Sequence, residues 1–405
     1  MKILFVHNRY VHEGGEERVI DNLSSLFQNH GHLVVRFEQR SQDWLSHGPW
    51  QKLRDAAAVV YSRTAAKELA SVIAREKPDV VHIHNVFPVL SPSVYDTAAE
   101  SGIPVIQSVH NYRLMCVNGL FLTPRGEICE RCRDGRFASA VRFGCYQNSR
   151  IKTLPMAFAL GWHRRRGTFL RSVRRYWVPN SFLKDKMSAS GFPAAAIDLV
   201  PNPAPSFSEG SSRSAKPLVV YAGRLSREKG ILTLLQAAKE VPDVRLALLG
   251  DGPLASSAER MVRDHQMKHV ELTGRLPPER VSAWLQKAWS VVMPSECYEN
   301  LPQAILESWS SGTPAIVSDG GALENVIRHG ETGWHFKRGN IASLAEALRR
   351  LCTLGSDDRD QMAARCREEI QSRYSEDAVY QSALESYQRA GVNVPAFASF
   401  SGASL

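Results

Sequence analysis

The sequence predicts an α/β protein made of two doubly wound, Rossmann-like domains. Two observations carry this. Short apolar runs alternate with helical patterns along most of the chain, and a stretch rich in proline and serine divides them into two sets. The runs are near-continuously hydrophobic, as strands buried on both faces of a parallel sheet are. The 405 residues allow two or three domains at roughly 100–200 residues each.

The first set of strands is expected at Lys2–Asn8, Leu33–Phe37, Val80–His84, Val105–His110, Tyr176–Pro179 and Asp198–Val200. The second is expected at Leu218–Arg224, Arg245–Gly250, Val270–Thr273, Ser290–Met293 and Ala315–Ser318. Breaks containing Gly, Asn or Ser lead from each run into a helical pattern, which marks βαβ units. Pro201–Ser212 holds three prolines and then serines and glycine, and reads as the linker. The expected division is residues 1–205, with a cysteine-containing loop 112–148 and a basic segment 150–175, then 206–375. Residues 376–405 form a final helix, read as Ser375–Arg389, and a loose tail from Val392 onward.

Composition narrows the class. With 43% apolar and 22% charged residues the chain is neither disordered nor a membrane bundle. No run approaches the ~20 apolar residues of a spanning helix. Met1–Arg9 is too short and too soon polar for a signal peptide, so a cytoplasmic location is expected. There cysteines serve as thiols or metal ligands.

The net charge of +9 is concentrated. Between Arg125 and Arg175, thirteen Lys and Arg face three acids. Arg164, Arg165, Arg166, Arg171, Arg174 and Arg175 are interleaved with Leu154, Phe158, Trp162, Phe169 and Leu170. This reads as an amphipathic basic helix or helix pair. Such a stretch suits an anionic membrane surface, nucleic acid phosphates, or simply solvent.

In open α/β sheets ligands bind beyond the carboxyl ends of the strands. After the first strand, Gly14 and Gly15 open a helix, where backbone N–H groups can approach an anion. The G-x-G-x-x-G pattern is absent, against a nicotinamide dehydrogenase. After Leu218–Ala222, Gly223-Arg224 and then Lys229-Gly230 put two cations at a strand tip. Arg can fork two phosphate oxygens and Lys adds a point charge; the plainer alternative is two surface cations at a turn. After Val291–Met293 comes Glu299-Asn300-Leu301-Pro302. Pro302 suits the first turn of a helix and Asn300 its cap. Glu307 follows on an apolar helical face and needs a partner or a ligand, such as ribose hydroxyls. His110 shares the strand-end rim with Gly14 and Gly15. His82 and His84 read as core or supporting residues.

These motifs resemble glycosyltransferase family 4, the glycosyl transferases group 1. The resemblance runs from Lys2 to Leu351. It is strongest through Val220–Gly230, Leu249–Pro253, and Glu299 to Glu307 with Gly312–Val317. It implies the GT-B fold, two facing Rossmann-like domains with a cleft between them, and retaining transfer from a nucleotide sugar without a catalytic metal. Arg224 and Lys229 would hold the diphosphate and Glu307 the ribose. Glu299, with the backbone of Asn300 and Leu301, would hold the donor sugar. Gly14, Gly15 and Gly223 would let backbone approach the donor, and His110 would contact the sugar near the reacting carbon. The amino-terminal half would recognise the acceptor, a glycan or lipid-linked molecule in surface polysaccharide or glycolipid synthesis. The arginines would then serve on the inner membrane face. One departure stands out: many members have Gly-Phe-Gly where Asn300-Leu301-Pro302 follows Glu299, which bears on donor choice.

Cys116, Cys129, Cys132 and Cys145 form Cys-x12-Cys-x2-Cys-x12-Cys. Four thiolates can make a closed structural zinc site; the alternative is a reduced pair and two unrelated thiols. Cys297, Cys352 and Cys366 read as buried or partly buried thiols. Two other functions fit parts of the sequence. A nucleotide-sugar epimerase on the same fold would need no acceptor. A basic zinc protein binding nucleic acid would explain the arginines but leave Arg224, Lys229 and Glu307 without purpose, so no nucleic acid partner is expected.

Overall fold

The computed structural model describes residues 1–11, 14–44, 48–205 and 213–394. Two six-stranded parallel sheets organise it. The first contains β1 (Lys2–Arg9), β2 (Leu33–Arg40), β3 (Val80–Ile83), β4 (Val105–Ser108), β5 (Arg175–Val178) and β6 (Ile197–Leu199), in the order β2-β1-β3-β4-β5-β6. The second contains β7 (Leu218–Ala222), β8 (Arg245–Leu249), β9 (Val270–Gly274), β10 (Ser290–Met293), β11 (Ala315–Ser318) and β12 (Gly333–Phe336), in the order β12-β11-β10-β7-β8-β9. The two parallel sheets with their helices are the expected α/β fold, with each predicted run supplying one strand.

β3, β4, β10 and β11 are buried at every residue, which is why they read as largely apolar runs. β12 has no such signature. It is a short edge strand beginning at Gly333, where an added Cβ would lie 2.0 Å from the Ala315 carbonyl oxygen. Glycine permits that close pairing with β11 and also hides the strand in the sequence.

The final helix is Glu376–Arg389, with Ser375 as its cap accepting from the Ala378 N–H at 3.3 Å. It returns to the first sheet. Val379, Ala383 and Tyr387 are fully buried in one cluster with Ile3, Phe5 and Ile20. The Tyr387 hydroxyl lies 2.8 Å from His82 Nδ1. Asp198 of β6 fixes the same helix, accepting from Arg175, Ser386 and Arg389. Val392 is buried in this cluster and Val394 packs against it, so the tail is not loose from Val392 as expected. Residues 395–405 lie outside the described residues, as do 206–212 of the expected linker.

The loop 112–148 is folded rather than open. It carries an isolated bridge between Leu122 and Ile128 and a short helix at Ala138–Phe143. Its residues Tyr112, Val117 and Phe121 are buried in the first domain's core.

Candidate active site

Parallel pairing puts the carboxyl ends of each sheet's strands on one edge, and the expected site residues follow those ends. In the second sheet a turn at Arg227–Lys229 ends at Gly230, φ +68°, where a Cβ would lie 1.9 Å from the Pro294 carbonyl oxygen. Only glycine fits, so the Lys229 turn presses against the end of β10. Lys229 Nζ lies 2.6 Å from Glu299 Oε1. Ser295 donates to the same oxygen. Burial alone would lower the Lys229 pKa, but Glu299, with Cys297 and Tyr221, outweighs it and holds the ammonium above its usual range. Arg224 leaves its side chain exposed at the end of β7, and no ion pair among the described residues ties it to Glu299 or Glu307.

Glu307 sits on the helix Gln303–Ser310, buried as its apolar neighbours require. Burial raises its pKa. Arg18 opposes that rise: its Nη1 donates to Glu307 Oε1 at 2.8 Å. Arg18 belongs to the helix Gly15–Asn29 of the other domain, so this ion pair spans the cleft.

Four further contacts join the domains beside it. The Tyr112 hydroxyl donates to the Glu299 carbonyl at 3.0 Å. Asn300 Nδ2 donates to the His110 carbonyl at 3.1 Å, and Asn180 donates to the Asn300 side chain. Asn300 therefore reaches across rather than capping its helix; Pro302 takes the cap position. Asn202 donates to the Leu301 carbonyl at 3.3 Å. Farther out, Arg227 reaches the carbonyls of Pro124 and Arg125 at the tip of the cysteine loop.

On the first domain, Gly14 and Gly15 are exposed where the helix Gly15–Asn29 begins. Glu17 holds this turn, accepting from the N–H groups of Gly14 at 2.9 Å and Tyr10 at 3.0 Å. His110 Nε2 lies 2.9 Å from His84 Nδ1, and the rings stack. Burial pushes His110 down to about 4. Burial also depresses His7, His82 and His84, with neighbouring imidazoles adding to the effect. His110 lines a small hollow with Glu16, His84, Asn111 and Arg113. Within this polar group Glu16 Oε1 and His84 Nε2 are buried without partners among the described residues. Burial, then Glu17, raises the Glu16 carboxyl to about 8, so it is largely protonated at neutral pH.

Sequence reasoning missed Arg18, Glu16, Tyr112 and Asn180. Arg18 had a readable signal, three residues beyond the paired glycines at a strand end. Asn180 had one too, following β5 as His110 follows β4.

The expected basic surface needs correction. Arg164 folds inward, donating to the Ser190 carbonyl and lying 4.5 Å over the Phe192 ring. Arg175 is bound to Asp198. Neither is free for a membrane. Arg165, Arg166, Arg171 and Arg174 are exposed. Phe169 is core, not surface. Cys352 is exposed, unlike Cys297 and Cys366.

All seven cysteines are free. The four of the loop lie near one another. Burial, then Cys116, Cys145 and Cys129, push Cys132 up to about 12, and burial with Cys116 and Cys129 pushes Cys145 up to about 11. Among the described residues no group of three or more His, Cys, Asp or Glu side chains is arranged to hold a metal ion.

The sequence pattern of the glycosyl transferases group 1 matches residues 205–372, and that of the glycosyl transferase 4-like domain matches 14–203. The chain belongs to the group 1 glycosyl transferases. It is 33% identical over 139 residues to a sulfoquinovosyl transferase of Arabidopsis thaliana, covering 34% of this chain and 26% of that protein. It is 26% identical over 230 residues to a lipopolysaccharide 1,2-N-acetylglucosaminetransferase of Salmonella typhimurium, covering 50% and 59%. The chain thus spans less than two thirds of these curated relatives. Its fold matches the crystal structure of Anabaena HepE in complex with UDP and glucose, with a TM-score of 0.65 at 15% identity over 96% of this chain and 99% of that one. The fold is therefore GT-B.

The buried imidazoles give a pH prediction. Below the ordinary histidine value of 6.5 the unfolded chain takes up protons that folded His7, His82, His84 and His110 refuse. Stability should fall as pH drops from 6.5 to 5, by up to about 2 kcal/mol for each histidine. Urea denaturation at the two pH values measures this, and equal stabilities would contradict neutral buried rings.

Proposed function

We propose that the protein transfers a sugar from a nucleotide-sugar donor to a glycan or lipid-linked acceptor, with retention at the anomeric carbon, in surface polysaccharide or glycolipid synthesis. The observation that supports this best is the pair of ionic contacts at the strand ends, Lys229–Glu299 at 2.6 Å and Arg18–Glu307 at 2.8 Å. In each, a charged group is held at the cleft by a partner that a ligand can replace.

In this reading the diphosphate lies between Arg224 and Lys229. Negative charge develops on it as the sugar leaves, and fixed cations stabilise that charge most when water is excluded. Lys229 then exchanges the Glu299 carboxylate for phosphate oxygen, freeing Glu299 to accept from sugar hydroxyls. The backbone at Asn300 and Leu301 completes the sugar contact. Glu307 accepts from the ribose hydroxyls. Gly14, Gly15 and Gly223 admit backbone close to the donor. His110 is neutral and offers a hydrogen bond near the reacting carbon without adding charge. Arg224 and Lys229 supply the positive charge, so no catalytic metal is required. The UDP in the Anabaena structure makes UDP-sugars the first donors to test.

The test is UDP release from UDP-sugars with and without a membrane glycolipid fraction, with product stereochemistry read by NMR. Lys229→Ala should lower turnover by about 10²–10³-fold, and added magnesium or manganese should leave wild-type turnover unchanged. Turnover that survives loss of both Arg224 and Lys229 would contradict the diphosphate clamp. Donor isomerised without acceptor would assign an epimerase instead.

A structural zinc at Cys116, Cys129, Cys132 and Cys145 is a separate part of the proposal. The gathering of four thiols in one folded loop supports it. The side chains would have to turn toward one another to bind. Metal analysis of the purified protein should find about one zinc per chain; metal-free, folded protein would overturn it.

A further inference from the structure

The helix Arg150–Arg166 carries a surface that the proposed reaction does not use. Its inner face, with Met156, Ala159, Leu160 and His163, is buried. Its outer face is apolar as well. Ile151, Leu154 and Phe158 recur at helical spacing and are 86%, 58% and 59% exposed. The helix Pro49–Val60 lies against it. That helix exposes Trp50 and Leu53 at 83% and 67%. The two are joined where His163 Nε2 lies 2.9 Å from the Val60 carbonyl oxygen, and where Tyr61 meets Trp162 edge-on.

One exposed apolar side chain needs no explanation, but five large ones on two neighbouring helices do. Rotating the helix Arg150–Arg166 would not hide them, because its opposite face already fills the core. The charge around them is of one sign. Lys52, Arg54, Arg150, Lys152, Arg165 and Arg166 are exposed. The longer helix contains no acid, and the one acid of its neighbour, Asp55, is buried.

We propose that this two-helix face docks on an anionic lipid bilayer, with Trp50, Leu53, Ile151, Leu154 and Phe158 entering the headgroup and acyl boundary and the flanking cations meeting lipid phosphates. An apolar stripe flanked by lysine and arginine, with an aromatic at its edge, is the composition that holds a helix in the plane of a membrane interface. Charge complementarity selects this occupant. A second copy of the same face would set cations against cations. The surface keeps Leu154, Phe158, Arg165 and Arg166 of the basic segment expected from sequence, loses Arg164 and Arg175 to internal contacts, and gains Trp50, Leu53 and Ile151. The biological use rests on the proposed lipid-linked acceptor, but bilayer binding itself requires no donor and no turnover.

The test is co-sedimentation of the full chain with phosphatidylcholine vesicles, with and without phosphatidylglycerol, at low and high salt. Wild type should pellet with the anionic vesicles, and less with neutral vesicles or at high salt. Trp50→Ser with Phe158→Ser should weaken partitioning by about tenfold or more. The pair Lys52→Glu with Lys152→Glu should weaken it and flatten its salt dependence. All four side chains are exposed, so unchanged thermal midpoints are expected and serve as the folding control. Lys229→Ala should pellet as wild type does, which separates this proposal from the transferase reading. Wild type that ignores anionic vesicles, or the Trp50/Phe158 variant pelleting fully, overturns the proposal. A dimer in solution that the same variant abolishes would assign the face to a second copy and also overturn it.

Discussion

The ion pair between Arg18 and Glu307 is the contact on which the site depends. It joins one helix from each domain. Its carboxylate is set among residues as apolar as Ile305, Leu306 and Trp309. Burial works against the charged form of Glu307, and the guanidinium offsets part of that effect. Such a carboxylate cannot be left alone in an apolar site. Arg18 is the partner it has here, and in the proposed reaction ribose hydroxyls would take that place. Lys229 and Glu299 form a second ion pair, within the second domain, with Glu299 in the loop after β10. The cleft is thus set with two pairs of opposite charges.

The fold supplies the rigidity that such pairs need. β7 and β10 are neighbours in the second sheet, and the Gly230 turn locks Lys229 against the end of β10. On the facing side, the loop after β4 carries His110 and Tyr112, both in contact with the segment 299–300. The final helix leaves the second domain and closes the hydrophobic face of the first. The two domains are therefore joined by chain at residues 201–205 and again near Ser375. This constrains how they can move while leaving the strand ends opposed.

Much of this was legible in the sequence, for a physical reason. The central strands, buried along nearly all of their length, must be largely apolar and so announce themselves, while the half-exposed edge strands β2 and β9 show only shorter apolar stretches. β12 does not announce itself, because its first residue is a glycine chosen for closeness to Ala315. Glu307 was readable because an acid on an apolar helical face needs a partner. The partner itself was not, since Arg18 lies 289 residues earlier and nothing local records the distance. The basic segment failed in another way. A run of arginines does not say which of them turn inward. Arg175 does so because Asp198 lies on the adjacent strand, and Arg164 because the Phe192 ring and the Ser190 carbonyl are within reach. The aromatic and aliphatic residues of the same segment also divide by burial, with Phe169 inside and Leu154, Phe158 and Leu170 outside.

The central claim is that replaceable ion pairs at the strand ends form a nucleotide diphosphate site. Calorimetric titration of UDP into wild type, Lys229→Ala and Glu307→Ala tests it most directly. The account predicts saturable binding to wild type and at least about tenfold weaker binding to each variant, the loss of one charge-assisted contact. Equal UDP affinity in all three proteins would contradict it.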